Sequence, residues 1–439
     1  MSDKIIRLGG SHIGAPESVN NLKQYLSRNS GRNFVVVSAI PELLSLLNRA
    51  LSTVLKAGSD MDYLTTKLFE LFQKYAGKEI TEPYRTNAIQ AGKLLKGIAL
   101  TGDYSSGLKD QVISFSERLS TEILHARWVN AAILLPEEIE LRTNSDFGNA
   151  TFISVNNKKI HQLDKGTYLI PGTFGVTHNG KIARTGQTAA DYTAAFLTKE
   201  LKVEKLELWD LDKKFLRADP SIIEEQARIN RLTYSEASEL AYFDHYSFHP
   251  RTVEPLEHKH IPIAVLSADS AVGKVETVIN TETFVEDQIV KSVACTDDIS
   301  LLRLDGPGVG LKPGILAKVT SHLNEKGLNI KSVITSQTSI NFIMSRENGS
   351  KALSLISDLG FSSVTDISVV EDVSLIGVVG HGMQHAYGVS AKIFTAVANN
   401  EINVVLSGSG ASDLASYLVV QQSDKVKSVR EIYNAFFNV

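Results

Sequence analysis

Cysteine is nearly missing from this chain. Cys295 is the single one among 439 residues, which excludes an intrachain disulfide and a cysteine-only metal cluster. An excess of one charge is missing too. The 45 Lys and Arg stand against 49 Asp and Glu, a net charge of −4, so nothing points to nucleic acid or an anionic membrane as partner. No apolar run in the sequence reaches the length of a membrane span. At the N-terminus, Ile5-Ile6 is too short for the apolar core of a signal peptide. A reducing cytoplasm is the expected compartment.

What is present is enough chain for two or three hydrophobic cores. Its organising stretch is the first strand and turn, Lys4-Ile5-Ile6-Arg7-Leu8-Gly9-Gly10-Ser11-His12. An apolar run enters the turn, a cation stands just before it, and two glycines follow. Glycine has no Cβ, so backbone N–H groups there can converge on an anion. A cation at the same place suits a phosphate. Taken alone, the pattern is more often an ordinary β-turn after a buried strand, and the rest of the chain has to decide.

Phe34-Val35-Val36-Val37-Ser38-Ala39 reads as a second buried strand, spaced from the first as in a parallel βαβ unit. Residues 41–124 turn helical, with Leu43, Leu44, Leu46, Leu47 and Leu51 on one face. Strand patterns follow at 131–135, 151–155, 168–172, 205–209 and 261–266, and helical ones at 191–200 and 234–243. This alternation predicts an α/β fold with an open, mostly parallel sheet covered on both faces. Residues 267–283, polar and without period, read as a linker.

Beyond it the chain repeats itself. Asp297-Asp298-Ile299-Ser300-Leu301-Leu302 is answered by Glu371-Asp372-Val373-Ser374-Leu375-Ile376, and Gly327-Leu328-Asn329-Ile330 by Asn400-Glu401-Ile402-Asn403-Val404. Each copy holds a Gly-rich turn, an amphipathic helix, two strands and another helix. The expectation is two βαββα units of roughly 70 residues each.

Ordered stretches along the whole chain resemble the aspartokinases: Leu8-Gly9-Gly10, Val36-Val37-Ser38-Ala39, Ser116-Glu117-Arg118-Leu119-Ser120, Asp191-Tyr192-Thr193-Ala194-Ala195, Glu236-Ala237-Ser238-Glu239-Leu240-Ala241-Tyr242-Phe243 and His249-Pro250-Arg251-Thr252-Val253-Glu254-Pro255. The resemblance implies an amino-acid-kinase domain over 1–283 and two α+β, ferredoxin-like ACT domains at 297–370 and 371–439. It implies ATP- and Mg2+-dependent phosphorylation of the L-aspartate side-chain carboxylate to 4-phospho-L-aspartate, at the head of lysine, threonine and methionine synthesis. It also implies amino-acid regulation and a homodimer or larger assembly through the ACT domains. Phosphoryl transfer asks mainly for positioning and charge stabilisation. Carried over by position, Arg7 and Asp191 serve the chemistry, while Glu117, Ser38 and Gln187 serve the substrate. Gly9, Gly10, Ser11, Asp210 and Tyr246 serve phosphate and nucleotide. Thr335, Ser336, Gln337 and Lys331 serve the effector.

The chemical motifs depart from the family's. Its Lys-Phe-Gly-Gly-Thr-Ser reads Arg7-Leu8-Gly9-Gly10-Ser11-His12, a larger and forked cation. Its Gly-Arg-Gly-Gly-Ser-Asp reads Gly186-Gln187-Thr188-Ala189-Ala190-Asp191, so the arginine that grips a substrate carboxylate is Gln187. The nucleotide-side Thr-Asp is Asp210-Leu211, and the nucleotide-binding lysine is Tyr246. Arg184, Lys213, Lys214 and Arg217 are either replacement cations or surface charge. Lys331 stands where lysine-sensitive members carry an aspartate; it either repels a lysine ammonium or points to solvent. Three readings stay open: an aspartokinase with an altered site, a non-catalytic sensor or regulatory subunit on the same fold, and a kinase for another small acid.

Overall fold

The central strand β1 (Lys4–Leu8) is lined by parallel neighbours on both sides: β2 (Asn33–Val37) pairs Lys4 with Asn33, and β9 (Leu206–Asp210) pairs Ile5 with Leu206. The computed structural model describes residues 3–54, 61–186, 189–210, 215–243, 248–269, 271–282, 289–310, 312–408 and 412–437. It separates into two units. The first consists of Met1–Phe215, Asn230–Ala241 and Tyr246–Glu282; the second of Leu216–Ile229, Tyr242–His245 and Thr283–Val439.

In the first unit the other strands are β3 (Ala132–Ile133), β4 (Arg142–Thr143), β5 (Phe152–Ser154), β6 (Thr167–Pro171), β7 (Phe174–Val176), β8 (Ile182–Arg184), β10 (Arg231–Thr233), β11 (Ile263–Ser267) and β12 (Val275–Asn280). Its helices are α1 (Gly10–Ile13), α2 (Pro16–Ser27), α3 (Pro41–Thr53), α4 (Met61–Ala76), α5 (Glu82–Thr101), α6 (Ser106–Arg127), α7 (Asn157–His161), α8 (Ala190–Glu200), α9 (Tyr234–Leu240) and α10 (Glu254–Glu257). The main sheet is eight-stranded in the order β10-β12-β11-β9-β1-β2-β6-β3, parallel except where β11 meets β12. A second, four-stranded sheet runs β5-β4-β7-β8.

Side chains alternate across a strand, and that period divides β1 between two cores. Ile6 and Leu8, with Val35 and Val37 of β2, pack under α2–α6 through residues such as Leu22, Leu43, Leu68, Leu95 and Leu119. Ile5 and Arg7 lie on the opposite face, which α8 covers. Leu43, Leu47 and Leu51 of α3 are buried, with Leu44 and Leu46 half-covered beside them, as the heptad-like spacing predicts.

Two sequence expectations change here. The strand expected at 131–135 shrinks to Ala132–Ile133, because Pro136 follows and offers no N–H to a ladder. The expected linker at 267–283 carries β12, which buries Thr277 and Ile279 against β11 and β10. A threonine on the buried side hides that alternation from a hydrophobicity scan.

The second unit holds β13 (Ser292–Thr296), β14 (Ser300–Asp305), β15 (Ser332–Thr335), β16 (Ser339–Met344), β17 (Asp366–Val370), β18 (Val373–Val379), β19 (Val404–Gly408) and β20 (Ala415–Gln421). With them go α11 (Ile315–Glu325), α12 (Gly349–Ser357), α13 (Val389–Ala398) and α14 (Lys425–Phe437). The duplication is visible as two four-stranded antiparallel sheets, β15-β16-β14-β17 and β19-β20-β18-β13. Leu302, Leu304, Phe342 and Met344 face Val319 and Ile356 in one; Ile376, Val378, Leu418 and Val420 face Ile393 and Ile432 in the other.

Corresponding edge positions are filled by strands from different places in the chain. β17 follows its own repeat, whereas β13 precedes the first repeat and pairs with β18 of the second, Ser292 opposite Val379. Residues 216–229 join the second unit through this strand: the Val293 N–H donates to the Arg217 carbonyl, and Ala218 is buried with Val293 and Ile376. Among the described residues no helix is long and apolar enough to cross a membrane.

Glu122 on α6 is buried at 9 % exposure, and burial pushes its carboxyl up to about 7. The unfolded chain ionises this group near 4.5, so the folded state holds a proton that the unfolded state has lost between those values. Stability therefore falls as pH rises from about 4.5 to 7. Glu122→Gln is expected to gain about 1–3 kcal/mol over the parent at pH 8 and nothing at pH 4. Denaturant unfolding at both pH values checks it; equal gains at the two would remove Glu122 as the cause.

Candidate functional site

The three central parallel strands stop at Leu8, Val37 and Pro171, and small residues follow each: Gly9-Gly10, Ser38-Ala39 and Gly172-Thr173. Such carboxyl ends are where open α/β sheets bind ligands. The turns are stitched together by main chain. Ser38 N–H donates to the Leu8 carbonyl at 3.0 Å and Gly172 N–H to the Val37 carbonyl at 2.9 Å. The requirement for glycine at position 10 is steric: a Cβ there would lie 1.8 Å from the Ala39 carbonyl oxygen. Gly9 precedes the short helix α1, on which Ser11 is exposed. Ser38 places its Oγ in a buried position with no hydrogen-bond partner among the described residues.

Arg7 and Asp191 form an ion pair, Nε to Oδ1 at 2.5 Å, with side chains 6 % and 0 % exposed. Asp191 sits in the first turn of α8, where the helix dipole favours a negative charge. Its Oδ2 also accepts the His249 N–H at 3.3 Å. His249 in turn lies against Gly186, where a Cβ would approach its Nε2 to 3.1 Å.

Glu117 on α6 is equally buried. Its Oε1 accepts the Thr173 hydroxyl at 2.6 Å and its Oε2 the Ser116 hydroxyl at 3.0 Å. Arg184, at the end of β8, brings Nη2 to 3.5 Å from Oε1. Burial pushes the Glu117 carboxyl up, against the pull of Arg184 and the two hydroxyls. Arg184 is anchored by its backbone: its N–H, like that of Gly148, donates to Asp110 Oδ2 at 2.8 Å. Asp110 is pushed up by burial, with both N–H bonds and Arg184 opposing the shift. Glu117 and Asp191 thus reach the same sheet edge on helices from opposite faces. Thr173 contacts both sides, through its hydroxyl to Glu117 and through its N–H to Thr193 Oγ1 on α8 at 3.2 Å.

Arg184 is the residue that sequence reasoning undervalued. It reads as possible surface charge, yet it is only 7 % exposed. The signal available was its position: Ile182, Ala183 and Arg184 form a strand with every residue buried. Arg217 goes elsewhere, stacking over Phe437 at 4.7 Å in the second unit. Asp210 closes β9 with its backbone. Gln187, Lys213, Lys214 and Tyr246 lie outside the described residues.

In the first small sheet, Thr335, Ser336 and Gln337 line a pocket of about 620 Å³ together with Gly310, Lys312 and Gly314. Gly314 starts α11 at φ +93°, and a Cβ on Gly310 would lie 2.4 Å from the Ser336 carbonyl. Lys331 does not line this pocket. Its ammonium donates to the Asp298 carbonyl at 2.7 Å and to Asp298 Oδ2 at 2.9 Å, and stands over Tyr242. Burial alone would raise the Asp298 pKa, but hydrogen bonds from Lys331 and the Arg346 N–H outweigh it and hold the carboxylate below its usual value. Neither sequence alternative for Lys331, repulsion or free solvation, describes this neutralised pair.

Residues 4–267 match the amino acid kinase family, and residues 376–436 match an ACT domain. The chain is 23% identical over 464 residues to the bifunctional aspartokinase/homoserine dehydrogenase of Buchnera aphidicola, covering 99% of this chain and 56% of that protein. It is 24% identical over 460 residues to aspartokinase 1, chloroplastic, of Arabidopsis thaliana, covering 99% of this chain and 80% of that one. The chain spans about half the length of the bifunctional relatives it matches. Aspartokinase III of E. coli, in a crystal structure with aspartate and ADP, shares the fold at a TM-score of 0.85 over 100% of both chains, with 22% identity. The kinase-family match takes in more than half of the sequence, and the ACT match falls on the second of the two small sheets. The chain therefore belongs to the amino acid kinase family, as an aspartokinase-type member with C-terminal ACT domains.

Proposed function

We propose that this protein is an ATP-dependent kinase of a small acidic α-amino acid, L-aspartate before any other, regulated by an amino acid bound at its ACT domains. The observation that carries this reading is the buried Glu117–Arg184 pair at the carboxyl edge of the sheet, a carboxylate and a guanidinium 3.5 Å apart. An α-amino acid presents the complementary pair, an ammonium and a carboxylate on one carbon. Gly9, Gly10 and Arg7 are the groups to which phosphate would come, with Asp191 as the carboxylate for Mg2+. That set suits a cation that keeps most of its shell as water and phosphate oxygens. ATP would supply the phosphoryl group; the chain's own part is to hold the acceptor carboxylate in line and to screen its charge.

A second reading rests on the Arg7–Asp191 contact. The cation meant for phosphate is already neutralised by the carboxylate beside it, which suits a sensor or regulatory subunit that binds ligands without turnover. Hydroxamate formation from L-aspartate, ATP, Mg2+ and hydroxylamine separates the two. Turnover of about 1–100 per second is expected for a kinase; ligand binding without turnover would overturn the enzymatic reading in favour of the second. Consumption of ATP with a different small acid alone would move the substrate assignment. In the same assay Arg7→Ala is expected to abolish turnover. It should also cost about 3–5 kcal/mol in unfolding, because a buried ion pair loses one of its members.

The effector reading rests on the pocket of Thr335, Ser336 and Gln337, in which the cation is Lys312. A lysine side chain entering it meets a like charge, worth about 1 kcal/mol at an exposed site. Calorimetric titration is expected to show threonine binding roughly fivefold more tightly than lysine, with both lost in Ser336→Trp. Tighter lysine binding that disappears in the same variant would overturn it.

A homodimer or larger assembly completes the proposal. β15 and β19 end their sheets with no further strand beyond them among the described residues, and such edges favour pairing. Light scattering across micromolar concentrations is expected to give at least a dimer; a monomer throughout would exclude it.

A further inference from the structure

Arg184 has more hydrogen-bonding capacity than its surroundings use. Its Nε and Nη2 are buried and have no hydrogen-bond partner among the described residues. These two N–H groups lie on one edge of the planar guanidinium, the edge that matches the two oxygens of a carboxylate. Glu117 Oε1 stands 3.5 Å from Nη2, an ion-pair distance that leaves both N–H bonds unmade. The side chain cannot turn to water instead, since the residue is 7 % exposed and its backbone is fixed to Asp110. Buried donors left unmade are costly, so this unused edge suits an anionic ligand. Each Glu117 oxygen accepts one hydroxyl and keeps capacity for another donor. The sequence places no cation at 187, where a carboxylate-gripping arginine would otherwise be expected.

We propose that Arg184 binds the α-carboxylate of the amino-acid ligand through Nε and Nη2, while Glu117 receives its α-ammonium. This rests on the reading of the site as an amino-acid site and assigns the carboxylate contact to a strand residue three positions before Gln187. Thr173 fixes the spacing, because its hydroxyl holds Glu117 and its N–H is held by α8.

The test is calorimetric titration of the full chain with L-aspartate and with β-alanine, which keeps the amine and the distal carboxylate but lacks the α-carboxylate. The parent is expected to bind aspartate at least roughly 30-fold more tightly than β-alanine. In Arg184→Gln that preference should vanish, with aspartate weakened to the β-alanine level and β-alanine unchanged within about threefold. Arg184→Lys keeps the charge and the packing but not the bidentate edge; it should lose roughly tenfold for aspartate alone. It also serves where the glutamine variant does not fold. Aspartate binding unchanged in either folded variant, or equal losses for both ligands, would make Arg184 only the countercharge of Glu117 and overturn the assignment while leaving the amino-acid site in place. A parent that binds neither ligand would overturn the site reading and this assignment together.

Discussion

A guanidinium and a carboxylate 2.5 Å apart join the central strand to the helix that covers it. Arg7 occupies the one position of β1 where the two-residue alternation points a cation into a buried face. Asp191, in the first turn of α8, supplies a countercharge for it there. Burying such a pair gains little net stability over an apolar filling, but neither partner can be lost alone. The pair ties the first turn of α8 to β1, and α8 carries Thr193, whose hydroxyl accepts the N–H of Thr173 beside Glu117. Two opposite-charge pairs, Arg7–Asp191 and Arg184–Glu117, stand at this edge among the described residues.

Much of the architecture could be read from the sequence because its signals are periodic. Ile5-Ile6, Val35-Val36-Val37 and Val265-Leu266 are apolar on successive residues, as strands buried on both faces must be; β1 and β2 have parallel neighbours on both sides, and β11 is parallel to β9 and antiparallel to β12. The duplicated Asp297 and Glu371 stretches announced two copies of one small sheet. What escaped was carried by residues of mixed character or by long-range pairing. β12 has a buried threonine where a hydrophobic residue marks the pattern elsewhere. The pairing of β13 with β18 joins segments separated by a complete repeat, and no local pattern encodes a partner that far along the chain.

The site was legible in its scaffold and less so in its charges. Gly10, Glu117 and Asp191 sit at the carboxyl edge where their motifs place them. The structure gives Gly10 a packing reason, the close approach of the Ala39 carbonyl. Arg184 was obscure because an arginine at the end of a short strand has the same look on a surface and in a core; only the burial of β8 separates the two. Lys331 was misjudged for the converse reason. Its partner Asp298 lies 33 residues earlier in the chain, so a one-dimensional reading sees a bare cation where the folded protein has a neutral pair.

The placement of β13 also orders events in time. One of the two small sheets contains only strands from a single continuous stretch, β14 to β17, and can close as soon as that stretch exists. The other needs its earliest strand, already joined to Arg217 and Ala218 on one edge, to wait for β18 while a complete repeat is synthesised and folds between them. Pairings of such long sequence separation form late, and a waiting strand exposes an edge open to wrong partners. The folding of the intervening domain shortens the effective loop that must then be closed. The first small sheet thus acts as an internal clamp for the second, drawing two distant chain segments to within pairing distance by folding itself.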